Sequence, residues 1–131
     1  MSVIRLGSGG PWEEAFGYSR IVVAGPNAYV SGCTAVIGGI VHHEGDPYRQ
    51  AQTAFDVALK ALEEAGFNRS DVVRTRMYVV HPRDMEEVGR AHKEFFDAAR
   101  PAATMVVVSK LIDAEMLVEV EIEAYRDGSA P

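Results

Sequence analysis

The chain of 131 residues carries a formal charge of −6 and is 47% apolar and 24% charged, which is the composition of one globular domain. This length allows a single core that buries roughly two-thirds of the surface of the unfolded chain. No apolar run approaches the roughly 18 residues of a membrane span, and the amino-terminal residues lack the pattern of a secretion signal. We therefore expect one cytoplasmic domain over residues 1–131, without a membrane partner.

Several kinds of site are disfavoured by the residues themselves. The single cysteine, Cys33, cannot form an internal disulfide or the paired thiols of a zinc ribbon. His42, His43 and Glu44 crowd one loop, but loop neighbours seldom reach one ion together, so we predict no metal site. The chain has no glycine motif for nucleotides and no basic run, so we expect no cofactor and consider a nucleic-acid partner unfavoured.

The amino-terminal third predicts strands separated by glycine turns. A short strand at 3–6 precedes a Gly-Ser-Gly-Gly-Pro turn, and β-branched residues predict a strand over 18–24. A turn and a strand over 28–32 complete a hairpin. Residues 36–41, which include two glycines, predict a further turn.

Two amphipathic helices follow from the three- and four-residue spacing of apolar side chains. The first covers 47–65, with Asp46 as its cap and Gly66 after its end. The second runs from about residue 81 to 99. Its apolar side is formed by Met85, Val88, His92, Phe95, Phe96 and Ala99.

Strands in the second half of the chain are predicted from alternation. Residues 71–80 place Val73, Thr75, Met77 and Val79 on one face and Arg74, Arg76, Tyr78 and Val80 on the other. Segment 104–109 is almost continuously apolar, which predicts burial on both faces. The strand over 117–125 places Val118, Val120, Ile122 and Ala124 on one face and Glu119, Glu121 and Glu123 on the other.

These elements predict an α+β fold in which two helices cover one face of a single sheet. The other face carries Arg74 and Arg76 from one strand and three glutamates from the last strand. Tyrosines and a valine-rich strand lie among these charges, which a purely solvated face would not need. We therefore predict that the chain associates with other subunits through this face.

The glutamates are the best candidates for acid–base chemistry. A carboxylate held against a sheet beneath another subunit can have a raised pKa, and it can then orient water or exchange a proton. For Glu119 and Glu123 we favour pairing with the two arginines. For Glu121 the alternation alone leaves catalysis and structure equally open.

A nucleophile is less well supported. Gly32 permits the close approach of a ligand beside Ser31 and Cys33. Because the sequence places no base or positive charge next to Cys33, a small buried side chain is the simpler interpretation. His92 is interpreted as a semi-buried core residue and His81 as a turn residue.

Six short motifs are spread over nearly the whole chain: Phe16-Gly17-Tyr18-Ser19, Tyr29-Val30-Ser31-Gly32, Ala65-Gly66 followed by Asp71-Val72-Val73-Arg74-Thr75, Glu94-Phe95-Phe96, Arg100-Pro101-Ala102 and Glu121-Ile122-Glu123-Ala124. Their order and spacing resemble those of the Rid (YjgF-type, reactive intermediate deaminase) family. The resemblance implies a chorismate-mutase-like two-layer α+β fold with one mixed sheet. It also implies a homotrimer whose sheets line a central barrel, with small-molecule pockets at the subunit interfaces.

The resemblance implies an activity and a site as well. Deaminases of the family hydrolyse imines and enamines such as 2-iminopropanoate to the keto acid and ammonia, and they need no metal. By resemblance, Tyr18 closes one side of the pocket, Ser31 and Gly32 form its wall, and Glu121 positions the attacking water.

One position departs from the family pattern. The family holds the substrate carboxylate with the arginine of a Pro-Ala-Arg-Ser motif, whereas this chain has Ala103 there, followed by Thr104. Hydrogen bonds to charged groups contribute roughly 1.5–3 kcal/mol each, so we expect weak or no activity on imines derived from amino acids. Ala103, Met105 and Val107 would form an apolar wall with Thr104 as a polar group, unless Arg76 enters the pocket instead of pairing with glutamate.

Three functions therefore remain open. The first is a hydrolase or deaminase of imine-type metabolites with an altered substrate. The second is a non-catalytic trimer that binds a metabolite and reports it to a partner. Endoribonuclease or translation-inhibitor activity, for which members of this family are often named, ranks last because the chain is acidic.

Overall fold

The computed structural model describes residues 2–127. Within this range the elements are β1 Val3–Leu6, α1 Pro11–Phe16, β2 Ile21–Ala24, β3 Asn27–Cys33, β4 Val36–Ile37, β5 Ile40–Val41, α2 Pro47–Glu64, β6 Val72–Val79, α3 Met85–Phe96, β7 Ala102–Val107 and β8 Val118–Tyr125. Short 3-10 turns at Arg69–Asp71 and Pro82–Asp84 precede β6 and α3.

Six strands form one mixed sheet in the order β1-β2-β3-β8-β6-β7. Neighbouring strands are antiparallel except for β6 and β7, which are parallel. Helix α2 packs across β3 and β8 and against α3, so the two long helices share one face of the sheet. Strands β4 and β5 form a separate hairpin. The predicted α+β architecture, with two helices on one face of a mixed sheet, is confirmed.

Helix α2 begins and ends as its sequence predicts. The Asp46 carboxylate accepts a hydrogen bond from the backbone N–H of Arg49 at 3.0 Å, which caps the helix. Gly66 has φ of +92°, a left-handed conformation that suits glycine after a helix end. The apolar side of helix α2 buries Phe55, Leu59 and Leu62 in the core.

Strand β8 runs through the centre of the sheet and alternates as predicted. Val118, Val120 and Ile122 are buried beneath the helices, together with Ala124, while the three glutamates lie on the opposite face. The helix layer therefore leaves one face of the sheet open, and the glutamates define its chemistry.

Strand β6 departs from simple alternation because it contains a bulge. Val72 pairs with Ala124 and Arg74 pairs with Glu123, which leaves Val73 as an extra residue. Val72 is consequently buried while Val73 is 49% exposed. The prediction that Val73 shares a face with Thr75, Met77 and Val79 was wrong, because one inserted residue reverses the alternation at that point.

Strand β7 was predicted to be buried on both faces, and in the single chain it is not. Within the described range it is an edge strand that pairs only with β6, and five of its six residues are exposed. Val106 and Val107 are 42% and 50% exposed. An apolar run indicates burial, but it does not tell whether the chain itself or another subunit supplies the cover.

Three smaller differences concern element boundaries. Helix α1 was not predicted, because its glycine-rich approach indicated only a turn. Strand β2 starts at Ile21, since Tyr18 and Ser19 belong to the loop that follows α1. Helix α3 ends at Phe96, three residues early, and its first residue, Met85, is exposed.

Candidate functional site

A cavity of about 480 Å³, lined by charged, hydroxyl-bearing and apolar side chains, lies on the open face of the sheet. It is lined by Arg5, Gly17, Tyr18, Ser19, Val22, Tyr29, Val30, Ser31, Arg76, Glu121, Ile122 and Glu123. Its floor comes from strands in the middle of the sheet, and the loop after α1 forms one side. Four residues named from the sequence, Tyr18, Ser31, Arg76 and Glu121, therefore meet around one space.

Glu121 is held in place from the neighbouring strand. The hydroxyl of Tyr78 donates a hydrogen bond to Glu121 Oε1 at 2.8 Å. This bond is the main cause of a raised pKa for Tyr78, so the phenol stays protonated and keeps donating. One oxygen of Glu121 is thus fixed, and the carboxylate presents a defined orientation to the cavity.

Arg76 both lines the cavity and pairs with a glutamate. Its Nη1 lies 2.6 Å from Glu123 Oε2. The hydrogen bond to Glu123 raises the pKa of Arg76, so the guanidinium remains charged. Entry into the cavity and pairing with a glutamate were alternatives in the sequence, and one conformation of Arg76 satisfies both.

Glu119 has a different environment from the other two glutamates. No hydrogen bond or ion pair of its carboxylate occurs within residues 2–127. Its Oε2 packs so closely on Gly32 that a Cβ there would lie 1.8 Å away. Burial raises the pKa of Glu119, the charge of Glu121 adds to this effect, and Arg20 opposes it. The close approach expected at Gly32 is therefore made by a side chain of the same protein.

Ser31 and Gly32 form a bulge in β3. Val30 pairs with Ile122 and Cys33 pairs with Val120, so two residues of β3 oppose the single residue Glu121 on β8. Arg20 fills the space behind this bulge: its Nη1 donates to the carbonyl oxygens of Ser31 at 3.1 Å and of Gly32 at 2.6 Å. The pocket wall is thus shaped by an arginine that the sequence did not identify.

Cys33 is a buried thiol, as expected. Burial raises its pKa to about 11, although the neighbouring guanidinium of Arg20, 3.3 Å from Sγ, lowers it. Desolvation outweighs the positive charge, so the thiol is protonated at neutral pH and does not have the character of a nucleophile.

His92 is the semi-buried histidine that the helix pattern indicated. Its Nε2 lies 2.8 Å from the hydroxyl of Thr75, and its ring packs against Phe55 and Phe96. Burial lowers the pKa of His92. It lies on the helix side of the sheet, away from the cavity.

The cavity of the single chain does not reach β7, which carries Ala103, Thr104 and Met105. Ala103 and Met105 pair with Thr75 and Met77 and share the helix side of the sheet, while Thr104 pairs with Arg76 on the open side.

Arg74 was expected to pair with the glutamates. That expectation was wrong, because its Nη2 donates to Thr104 Oγ1 at 2.9 Å and its buried Nε has no hydrogen-bond partner among residues 2–127.

Among residues 2–127, no three histidine, cysteine or acidic side chains lie together as a metal would require. The ring of His42 contacts the carbonyl of Ile37 instead. None of the helices in this range is both long and apolar enough to cross a bilayer.

The fold and the site define a class: two-layer α+β proteins with a chorismate-mutase-like fold and a cavity on the open face of the sheet. Residues 12–126 match the model of the endoribonuclease L-PSP family. The chain belongs to this family, which is the YjgF-type family that its motifs resemble.

Comparison with individual proteins supports this membership. The chain is 50% identical to an uncharacterised protein of Streptomyces coelicolor over 125 residues, covering 95% of this chain and 93% of that protein. A solved structure from Mycobacterium tuberculosis, described as a member of the YjgF/YER057c/UK114 family, is 38% identical, has a TM-score of 0.88 and covers 95% of this chain and 100% of that chain. A 2-iminobutanoate/2-iminopropanoate deaminase of Dermatophagoides farinae is 29% identical over 110 residues, covering 79% of this chain and 86% of that protein.

Sequence reasoning missed several residues around the cavity. Arg5 and Tyr29 line it, and Tyr78 orients Glu121. Alternation had already placed Tyr78 on the open face, so its proximity to the glutamates could have been found from the strand pairing. Arg20 left no such signal, because its role depends on a bulge that only the sheet register reveals.

Proposed function

We propose that the chain forms a homotrimer with small-molecule pockets at the subunit interfaces and hydrolyses imine- or enamine-type metabolites without a metal. The observation that carries this proposal is the position of Glu121 in the cavity, oriented by Tyr78 and flanked by Ser31 and Tyr18. The deaminase name of one relative supports the same reaction class.

The reaction needs a base close to the carbon that water attacks. Glu121 accepts a proton from water as the oxygen bonds to the imine carbon, and the imine nitrogen takes up a proton as its π bond breaks. The carbinolamine then loses its C–N bond to give a carbonyl compound and ammonia. Water and the imine supply every atom of the products, so no oxidant or reductant is required.

The substrate is proposed to differ from the usual 2-imino acids. Ala103 offers no guanidinium for a carboxylate, and the charge of Arg76 is largely neutralised by Glu123. Strand β7 carries no cationic side chain, so it would bring the hydroxyl of Thr104, on the open side of the sheet, but no positive charge to a neighbouring subunit's pocket. We therefore expect imines with less negative charge to be the better substrates.

The trimer is supported by the exposed surfaces of the single chain. The valines of β7 are exposed at the edge of the sheet, and the open face beside them carries charged groups already paired with each other. Association through this edge would bury the valines and bring β7 of one subunit toward the cavity of the next.

The test is ammonia release from a panel of freshly generated imines, carboxylated and uncharged. We expect the wild-type protein to be active and Glu121→Gln to lose roughly 100-fold or more in kcat, since a positioned base contributes about 10²–10⁴-fold. Glu63→Gln, which changes an exposed glutamate of α2, serves as the matched control. Equal rates for the wild type and Glu121→Gln across the panel would contradict the proposal.

A non-catalytic metabolite-binding trimer is the second candidate, and the alanine at position 103 favours it. Thermal stabilisation by a metabolite without turnover would support this alternative, and no stabilisation across a metabolite panel would count against it.

RNA cleavage ranks last because the charge is −6. The cytoplasmic location stays a prediction.

A further inference from the structure

Arg20 is an arginine enclosed behind the cavity wall. Its side chain is only 16% exposed, and its Nε lies 3.7 Å from Oε2 of Glu13, which is itself buried. One nitrogen, Nη1, donates to both the carbonyl and the hydroxyl of Ser31, at 3.1 and 3.0 Å, and to the carbonyl of Gly32 at 2.6 Å. A guanidinium that is mostly shielded from solvent and makes this many protein contacts is held in one position.

The geometry of these contacts defines the conformation of the wall. In a regular strand, consecutive carbonyls point to opposite edges, yet the carbonyls of Ser31 and Gly32 both accept from the same nitrogen of Arg20. These are the two residues that the pairing with β8 skips. Arg20 therefore supplies the hydrogen bonds that the ladder does not provide, and it holds the bulge in one conformation.

Arg20 is itself anchored from α1. Glu13 accepts hydrogen bonds from the backbone N–H of Ser8 at 2.9 Å and from the hydroxyl of Ser8. Burial raises the pKa of Glu13, but the bonds from Ser8 and the charge of Arg20 outweigh burial and hold the pKa below its usual range. The carboxylate of Glu13 is thus ionised at neutral pH beside the guanidinium of Arg20, and a continuous set of fixed contacts runs from α1 to the wall.

We propose that Arg20 is a positioning residue for the hydrolysis: through the Ser31–Gly32 bulge it fixes the wall opposite Glu121, so that a bound imine meets the activated water. The inference rests on the proposed function. Displacing reacting groups by about 1 Å can cost roughly 100-fold in rate, which is the scale of effect that a relaxed wall would produce.

The experiment compares Arg20→Met, Arg20→Lys and a matched control, Arg49→Met, in an exposed arginine of α2. The probes are 2-iminopropanoate and an uncharged imine generated in situ. For Arg20→Met we expect kcat to fall 10- to 100-fold with a smaller change in KM. The amide NMR signals of Gly32 and Cys33 should shift at the same time. Arg20→Lys should recover part of kcat, because an ammonium can reach one carbonyl.

Other outcomes decide against the inference. It is overturned if Arg20→Met shifts both amide signals but keeps the wild-type kcat, or if kcat falls while the signals stay in place. If Arg20→Met does not fold, the double variant Glu13→Gln/Arg20→Met takes its place, because it also removes the carboxylate that would be left buried and unpaired. The same two readouts, kcat and the amide signals, then decide. An active wild type with unaffected variants overturns this inference alone, whereas an inert wild type overturns the proposed function as well.

Discussion

The three glutamates of β8 show how position decides the chemistry of one residue type. Glu123 is neutralised by Arg76, and Glu121 is oriented by Tyr78. Glu119 lies half-buried against a glycine, and no cation of the described part of the chain is at bonding distance from it. Alternation predicts that all three share a face, and they do. Which of them pairs, which is free to act and which is desolvated depends on the neighbouring strands.

Cys33 permits a direct test of its environment. Because its pKa is about 11, the ionised fraction of this thiol at pH 8 is about 100-fold lower than that of an ordinary cysteine. We expect iodoacetamide to label the native protein at pH 8 at least 100-fold more slowly than the same protein unfolded in urea. The labelling is followed by mass spectrometry. Equal rates for the native and the unfolded protein would show that the thiol is accessible and ionised in the fold.

Gln50 connects two elements that are distant in sequence. It is fully buried in α2, and its side chain donates to the carbonyl of Glu115 at 2.9 Å and accepts from the N–H of Leu117 at 2.8 Å. These bonds fix the loop that leads into β8. The apolar stripe of α2 was predictable, but a buried amide on the same helix was not, because its partners lie 65 and 67 residues away.

Replacing Gln50 by leucine should therefore destabilise the protein. The change leaves the carbonyl of Glu115 and the N–H of Leu117, which are bonded to Gln50 in a partly buried setting, without this partner, and an unsatisfied buried group costs about 1–3 kcal/mol. The measurement is the free energy of unfolding in urea. Gln52→Leu, in the same helix but bonded only to partly exposed side chains, is the control and should lose less than half as much. Similar losses for both variants would show that the bonds of Gln50 contribute little.

At the scale of the whole molecule, β7 is the element that the single chain leaves incomplete. Its apolar sequence predicts burial, and the fold leaves it at an open edge. Other hydrophobic surface is exposed as well, including Ile40 in the separate hairpin. The proposed trimer accounts for the edge strand because a neighbouring subunit would cover it.

Light scattering after size-exclusion chromatography tests this assembly. We expect a mass about three times the 14.3 kDa of the chain. Val106→Lys and Val107→Lys should shift the population toward monomers, because a lysine buried in the interface loses its hydration. Ile40→Lys should leave the mass unchanged. A monomeric wild type, or trimers that resist both β7 variants, would rule out this interface.

Much of the fold follows from the chain itself. The limits of α2, the hairpin of β2 and β3, and the faces of β8 all follow from local signals such as caps, turns and alternation. The same patterns, with the resemblance, selected Tyr18, Ser31, Arg76 and Glu121, which meet around one cavity. Local rules succeed there because they act over one turn of helix or a few residues of strand.

Tertiary structure decided what depends on register between distant strands. A bulge in β6 turned Val73 to the exposed side, and a second bulge in β3 placed Ser31 and Gly32 opposite Glu121. The position of β7 at the edge of the sheet left that strand exposed. Arg20 and Tyr78 acquire their roles only through such pairings. Composition and alternation are enough to predict one acidic chain with a helical layer and a charged sheet face. The packed sheet sets which charges cancel and which carboxylates line the cavity, because those outcomes depend on distances across strands rather than along them.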